Sequence, residues 1–261
     1  MIAVSSEEID AILAEVEERL LALARPLDRP VERQAPSLAM LALGHRARTM
    51  FCGFVTLYFS EASAAATSLM RTGVGINLTL RFITANPELH AELWAAEAER
   101  QSLALLREFG QDGDLVARHG AVDLDAPWVT EREEYIAATR ERALAEEVPG
   151  ITKRGAIMPS MKTIAEGLND PGAREAYRLA YRSLSNDVHA AARAFTSDHF
   201  LDGTSGITFA DVPASRGERA LNASIFASTI SILSGPFDLE AAEEADTIRN
   251  ALLQTIVAAD A

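Results

Sequence analysis

The chain has 261 residues, 48% of them hydrophobic, and carries a formal net charge of −14 at pH 7. A chain of this length buries a sizeable core without disulfides, and its single cysteine, Cys52, excludes an intrachain disulfide and a cysteine metal cluster. The acidic balance disfavours broad attraction to nucleic acid or anionic lipid, because Lys and Arg bind phosphate, although a local basic site remains compatible with it. The acidic amino terminus and the short apolar runs predict a cytoplasmic protein with no secretory signal and no membrane contact.

Helical periodicity dominates the sequence, which predicts an all-α multi-helix bundle with long antiparallel helices and irregular loops. Ser5 and Glu8 have capping-box spacing ahead of an apolar stripe, so a first helix is expected before Pro26. The further predicted helices lie at about 37–58, 61–84, 87–110, 130–148, 160–168, 172 to beyond 190, 217–234 and 238–259. Residues 111–128 are expected to be irregular, and residues 202–215 to form a loop with room for a brief hairpin.

This pattern predicts three parts along the chain. Residues 1–30 hold an N-terminal helix, residues 36–200 form the main helical domain, and residues 216–261 form a C-terminal helical pair packed on that domain. A proline-punctuated stretch separates the first part from the second.

The stretch YRSLSNDVHAAARAF, residues 181–195, carries the most informative polar residues. On an α-helix each residue advances about 100°, so Arg182 and His189 lie about 20° apart in projection and share a face. The residues within about 60° of Arg182 on that face include Arg178, Ser185 and Asn186. The apolar side chains of the helix lie on the opposite side.

This polar face has two interpretations. In the first it is the solvated side of an ordinary amphipathic helix. In the second it is turned into a cleft or a dimer interface, where His189 exchanges a proton near neutral pH and Arg182 holds a phosphate by paired hydrogen bonds. Asp187 leaves a further choice open, because the helix either bends at residues 185–187 or buries this carboxylate against a partner.

The spacing of Tyr181, Ser185 and His189 resembles the Y-x-x-L-S-x-x-V-H signature of a mainly bacterial family of helical proteins, the domain-of-unknown-function family numbered 5677. The segment LMRTGVGINLTLRFITANPELHAEL, led by Arg71, is similar to the other recognisable piece of that family. The resemblance covers roughly residues 36–195 and implies a helical fold without an established activity. The chain departs from the family at an acidic residue that often follows the arginine by about one turn, where it has Gly75 and Asn77.

The Arg182 to His189 spacing also resembles the Arg/His motif of HEPN-domain RNases, helical proteins common in toxin and phage-defence systems. That resemblance implies cleavage of RNA without a metal ion at a dimer interface. The implied partners are RNA at a local site and a second copy of the chain. Ser183 would take the place of the polar residue that usually follows the arginine.

The leading functional hypothesis is therefore an RNA-cleaving site in which His189 is the general acid or base and Arg182 steadies the phosphate. The candidate binding residues around this pair are Arg178, Ser185, Asn186, Tyr181 and Arg71. The competing hypothesis is a non-catalytic interaction or ligand-binding module, in which Tyr181, Ser185 and His189 form a structural hydrogen-bond set. No cofactor or metal is expected, and a di-iron bundle is excluded because no histidine has a glutamate three residues before it.

Two further polar groups interrupt apolar helices. The first, formed by His45, Arg46 and Arg48, is interpreted as a solvated stripe. The second, formed by Arg71, Asn77 and Arg81, lies in the next helix. An arginine in an apolar helix is costly unless it is paired, so at least one is expected to meet a carboxylate or line a pocket.

Overall fold

The computed structural model describes residues 6–25, 35–121, 123–181, 200–203, 206–209, 214–237 and 240–259. These residues form an all-α multi-helix fold with one short hairpin, which confirms the predicted fold class. The helices are α1 (Ser6–Leu23), α2 (Ala35–Tyr58), α3 (Ala66–Ala85), α4 (Pro87–Gln111), α5 (Gly113–His119), α6 (Pro127–Ala145), α7 (Met161–Gly167), α8 (Pro171–Glu175), α9 (Arg216–Ser234) and α10 (Ala242–Ala259). The strands are β1 (Phe200–Gly203) and β2 (Gly206–Phe209).

Capping residues and prolines explain where several helices begin. Pro87 and Pro127 occupy the first turns of α4 and α6, where a backbone amide has no partner within the helix. Helix α9 begins with a capping box, in which the amide of Glu218 donates to Ser215 Oγ at 3.2 Å and the amide of Ser215 donates to Glu218 Oε2 at 2.7 Å. Ser5, expected to cap α1, lies outside the described residues.

Several helix boundaries differ from the sequence prediction. Helix α3 begins about five residues late, after a 3-10 turn over Ser63–Ala65, and α10 begins about four residues late, while α6 begins about three residues early. The expected irregular region contains α5, since Asp112 Oδ1 accepts a hydrogen bond from the amide of Asp114 at 3.0 Å and so caps a short helix. Helix α6 ends at Ala145, about three residues early, because Glu147 adopts a left-handed φ of 53°.

The helix predicted from residue 172 to beyond residue 190 is described only as far as Tyr181, and it begins as α8. After α8 the chain continues as a π-helical turn over Ala176–Tyr181, and residues 182–199 lie outside the described part of the chain. A π-turn closes i to i+5 hydrogen bonds and does not advance 100° per residue. Because Arg182 lies outside the described residues, the angle predicted between Arg178 and Arg182 stays a prediction.

The brief hairpin expected within residues 202–215 is confirmed, although it begins slightly earlier. Strands β1 and β2 pair antiparallel, with Phe200 opposite Phe209 and Gly203 opposite Gly206. The division of the chain into three parts stays a prediction. Within the described residues, no helix is both long and apolar enough to cross a lipid bilayer.

Helix α3 lies between two clusters of buried apolar side chains. Leu80 and Ile83 join one cluster with α1, α2, α9 and α10, whereas Leu78 and Phe82 join the other with α4, α6 and α7. The polar side chains of α3 must therefore find partners inside the protein, because water reaches little of this helix.

A buried arginine joins α1 to α9. The side chain of Arg219 is fully buried, and its Nε and Nη2 donate to the two carboxylate oxygens of Glu17 at 2.8 and 2.7 Å. Its Nη1 lies 3.2 Å from Asp10 Oδ1, and its guanidinium carbon lies 4.6 Å from the ring centre of Phe59. Burial alone would lower the pKa of Arg219, but the hydrogen bonds to Glu17 outweigh it and raise the pKa. Both helices are thus connected through one desolvated cation.

A second buried charge holds the loop that precedes α7. Glu97 on α4 is 9% exposed and accepts hydrogen bonds from Arg100 at 2.9 and 2.7 Å, from Gln101 at 2.9 Å and from the amide of Ile157 at 2.8 Å. Burial alone would raise the pKa of Glu97, but these hydrogen bonds, those from Arg100 first, lower it from its ordinary value of 4.5 to about 2.

The charge of Glu97 is expected to stabilise the fold in a pH-dependent way. Because the folded pKa lies below the unfolded one, the stabilisation is fully present above about pH 4.5 and is lost as the pH falls towards 2. In urea unfolding at pH 7, Glu97→Gln should lower the free energy of unfolding by about 3 kcal/mol.

The same comparison at pH 3 should show roughly half of that difference. Glu99→Gln, which removes a carboxylate of the same helix that pairs with Arg132 at 3.1 Å and is 35% exposed, should change stability little at either pH. A loss for Glu97→Gln that stays constant from pH 7 to pH 3 would contradict this account.

Candidate functional site

Two short helices, α7 and α8, and the π-helical turn that follows α8 build the groove that we take as the candidate site. Ser160 caps α7, because its Oγ accepts a hydrogen bond from the amide of Thr163 at 3.1 Å. Asp170 caps α8 in the same way, with its Oδ1 2.8 Å from the amide of Gly172, and Pro171 follows at the first helical position. Although α7 and α8 are short, these caps fix the residue at which each helix begins.

The groove between α7 and the segment formed by α8 and the π-helical turn is cationic. It has a volume of about 450 Å³ and is lined by Lys162, Ala165, Glu166, Arg174, Tyr177 and Arg178. Three cations therefore face one carboxylate, and Glu166 lies 4.0 Å from the ammonium of Lys162. Among the residues that the structure describes, no carboxylate forms an ion pair with Arg174 or Arg178. We call this feature the cationic groove.

Aromatic rings lead from the cationic groove towards α3. The ring of Tyr177 is half-buried and stacks on that of Tyr181, with 5.7 Å between ring centres and 22° between planes. On α3, the guanidinium carbon of Arg71 lies 4.7 Å from the centre of the Tyr181 ring, and Arg71 Nη2 donates to the Tyr181 hydroxyl at 3.3 Å. Arg71, Tyr181 and Tyr177 thus form one stacked series that ends in the groove.

A glycine on α3 leaves room for this series. A Cβ atom at Gly75 would lie 3.4 Å from Tyr181 Cε2, so the ring packs directly against the helix backbone. This distance is an ordinary van der Waals contact, so a Cβ atom at this position would touch the edge of the ring.

A buried polar network on α3 fixes the start of α8. Arg81 pairs with Asp170, donates from Nη2 to Ser228 Oγ at 2.8 Å, and donates from Nε to Asn77 Oδ1 at 3.0 Å. Asn77 Nδ2 donates to Ser228 Oγ and to Thr229 Oγ1 at 3.2 and 3.1 Å. Burial lowers the pKa of Arg81. The network confirms that an arginine of α3 meets a carboxylate, and it connects α3, α8 and α9.

One family of known sequences matches most of the chain. The model of a family of unknown function, DUF5677, matches residues 38–207. The chain belongs to this family. The DUF5677 match runs from α2 to β2, so it includes the cationic groove and the stacked series, whereas α1, α9 and α10 lie outside it. No curated protein and no solved structure shows a significant match to the chain.

The structure places three of the seven candidate site residues predicted from the sequence. Arg71 and Tyr181 are in contact, and Arg178 is exposed in the cationic groove. The other four, Arg182, Ser185, Asn186 and His189, lie outside the described residues, and so does Asp187. In the solvated stripe predicted on α2, His45 and Arg46 are exposed and Arg48 is half-buried.

Sequence reasoning did not single out Lys162 or Arg174. Arg174 lies on α8 and Arg178 lies in the π-helical turn that follows, so their i, i+4 spacing in the sequence does not by itself predict that both line one groove. Lys162 joins them only because α7 packs beside α8, and no local pattern predicts that packing.

Proposed function

We propose that this DUF5677 protein binds RNA at the cationic groove and cleaves it without a metal ion. His189 acts as general acid or base, and Arg182 stabilises the charge on the phosphate. The cationic groove is the observation that supports the proposal. In a chain of net charge −14, Lys162, Arg174 and Arg178 line one groove, which suits a local site for a polyanion.

The reaction needs only the hydroxyl that RNA itself carries. The 2′ oxygen attacks the adjacent phosphorus and forms an O2′–P bond, while the bond from phosphorus to the 5′ oxygen of the next nucleotide breaks. A base accepts the proton of the 2′ hydroxyl, and an acid gives a proton to the departing 5′ oxygen. His189 supplies one of these roles and water the other, and the guanidinium of Arg182 pairs with the phosphoryl oxygens as charge builds up.

The proposal extends to location and assembly. The substrate and the reduced state expected of Cys52 favour the cytoplasm. The resemblance to HEPN-domain RNases, whose motif lies at a dimer interface, favours a homodimer in which each copy completes the site.

Cleavage of a labelled oligoribonucleotide in the presence of EDTA tests the proposal. We expect the wild-type protein to give products ending in a 2′,3′-cyclic phosphate, and His189→Ala to cleave about 10²- to 10⁴-fold more slowly. Arg182→Ala should also be strongly impaired. His45→Ala removes an exposed histidine from α2 and should cleave at the wild-type rate.

An oligonucleotide with a single ribonucleotide in a DNA strand sharpens the test. It should be cut only after the ribonucleotide, and the all-DNA strand should stay intact. Cleavage of the DNA strand would contradict attack by the 2′ hydroxyl. Equal rates for the wild type and for His189→Ala would contradict the assigned role of the histidine.

One observation favours the second candidate, a non-catalytic interaction module. Tyr181 is half-buried and bound to Arg71, so this member of the Tyr181, Ser185 and His189 set has a structural contact. If the set only connects helices, the wild-type protein will not cleave RNA, and His189→Ala will lower the melting temperature. Cleavage by the wild type together with an unchanged melting temperature in His189→Ala would exclude this alternative.

A further inference from the structure

We infer that the cationic groove takes unpaired RNA, with one base stacked on Tyr177. This inference rests on the proposed function, since it names the substrate class of the same site. It adds a residue that neither the sequence motif nor the family match assigns to substrate. Its basis is the position of an aromatic ring among the groove's cations.

The first step concerns the ring itself. Tyr177 contributes to the wall of the groove while one side of its ring is supported by Tyr181, which is in turn held by Arg71. A supported ring at the edge of solvent loses little conformational freedom when a base stacks on it. Proteins that bind single-stranded nucleic acid use such rings as platforms for successive bases.

The second step concerns the surrounding charges. Arg174 and Arg178 flank Tyr177 in sequence, and Lys162 reaches the same groove from α7. Phosphates on either side of the stacked base can therefore pair with cations. The volume of about 450 Å³ falls within the range of about 300–1,000 Å³ that is usual for ligand pockets.

The third step separates unpaired from paired RNA. In a duplex both faces of a base are covered by neighbouring bases, so the base cannot reach a protein ring without being unstacked. A duplex would contact the cations but not Tyr177. The groove should therefore prefer loops, bulges and single strands over duplexes.

Equilibrium binding measured by fluorescence anisotropy tests this preference. The probe is a mixed-sequence 12-nucleotide 2′-O-methyl oligoribonucleotide, which lacks the attacking hydroxyl and so reports binding apart from cleavage. The wild-type protein should bind the single strand at least about tenfold more tightly than the same strand annealed to its complement. Tyr177→Leu should weaken binding of the single strand by about 5- to 100-fold and leave duplex binding unchanged.

Tyr177→Phe and Tyr177→Trp are the matched controls, because they keep an aromatic platform. Both should bind the single strand within about threefold of the wild type. If Tyr177→Leu folds poorly, the comparison of single strand with duplex on the wild-type protein still tests the inference. Equal affinity for strand and duplex, or a Tyr177→Leu affinity equal to that of the wild type, would overturn the inference. If the protein binds the single strand selectively but does not cleave unmodified RNA, the proposed cleavage is overturned and the inference stands. If it binds neither probe, both are overturned.

Discussion

Replacing Arg219 with methionine is expected to lower the free energy of unfolding by about 3–5 kcal/mol. The guanidinium is fully buried and forms two hydrogen bonds with Glu17, which is itself 4% exposed. Removing the cation leaves the Glu17 carboxylate desolvated and without its partner, which costs more than the missing hydrogen bonds alone. Urea unfolding followed by circular dichroism at pH 7 measures the change.

Two control variants show whether the loss of stability comes from the unpaired buried carboxylate or from the loss of any positive charge. Adding Glu17→Met to Arg219→Met removes the orphaned carboxylate and should restore most of the stability, since an apolar pair of similar volume often replaces a buried ion pair without loss. Arg216→Met removes an exposed cation that binds the same Asp10 at 2.8 Å and should change stability little. If the double variant is as unstable as Arg219→Met, the loss has another cause, such as the stacking of Arg219 over Phe59.

The double charge reversal Arg174→Glu and Arg178→Glu is expected to weaken binding of single-stranded RNA by roughly 10- to 100-fold near 0.15 M salt. Each phosphate that is no longer neutralised by an arginine keeps its bound counterions instead of releasing them. The slope of log affinity against log salt should therefore become shallower by about 1.4, or about 0.7 for each such phosphate. Anisotropy titrations at several salt concentrations give both quantities.

Reversing two cations elsewhere controls for net charge. Arg46 on α2 and Arg118 on α5 are exposed and do not line the cationic groove. Arg46→Glu with Arg118→Glu changes the net charge by the same amount and should alter the salt slope little. Equal losses of affinity in the two double variants would show that RNA responds to the overall charge of the protein and not to the groove.

Much of the fold follows from local sequence patterns, because helix signals are local. Apolar periodicity predicts α1 to α4, and Pro87 predicts the start of α4. An unpaired arginine in an apolar helix is costly, so at least one arginine of α3 is expected to meet a carboxylate or line a pocket. Arg81 meets the carboxylate of Asp170. Sequence reasoning could not identify Asp170 as the partner, because it is 89 residues away from Arg81 along the chain.

The features that sequence reasoning misses depend on contacts between distant elements. Arg219 stands near the start of an amphipathic helix, where arginine is ordinary, and its partner Glu17 is 202 residues away. The π-helical turn over Ala176–Tyr181 has no sequence signature of the kind that proline or glycine provides for other breaks in a helix. Lys162 joins the cationic groove through packing of α7 on α8, which no single-helix pattern encodes.

Photo-crosslinking tests the central claim, that RNA lies in the cationic groove, most directly. A single-stranded oligoribonucleotide carrying 4-thiouridine would be irradiated with the His189→Ala protein, and the adducts located by mass spectrometry of the digested chain. We predict adducts on residues 162–181, with Tyr177 or Lys162 among them, and competition by excess unlabelled single strand. Adducts confined to other helices, or a yield that excess single strand does not reduce, would contradict the assignment of this groove to RNA.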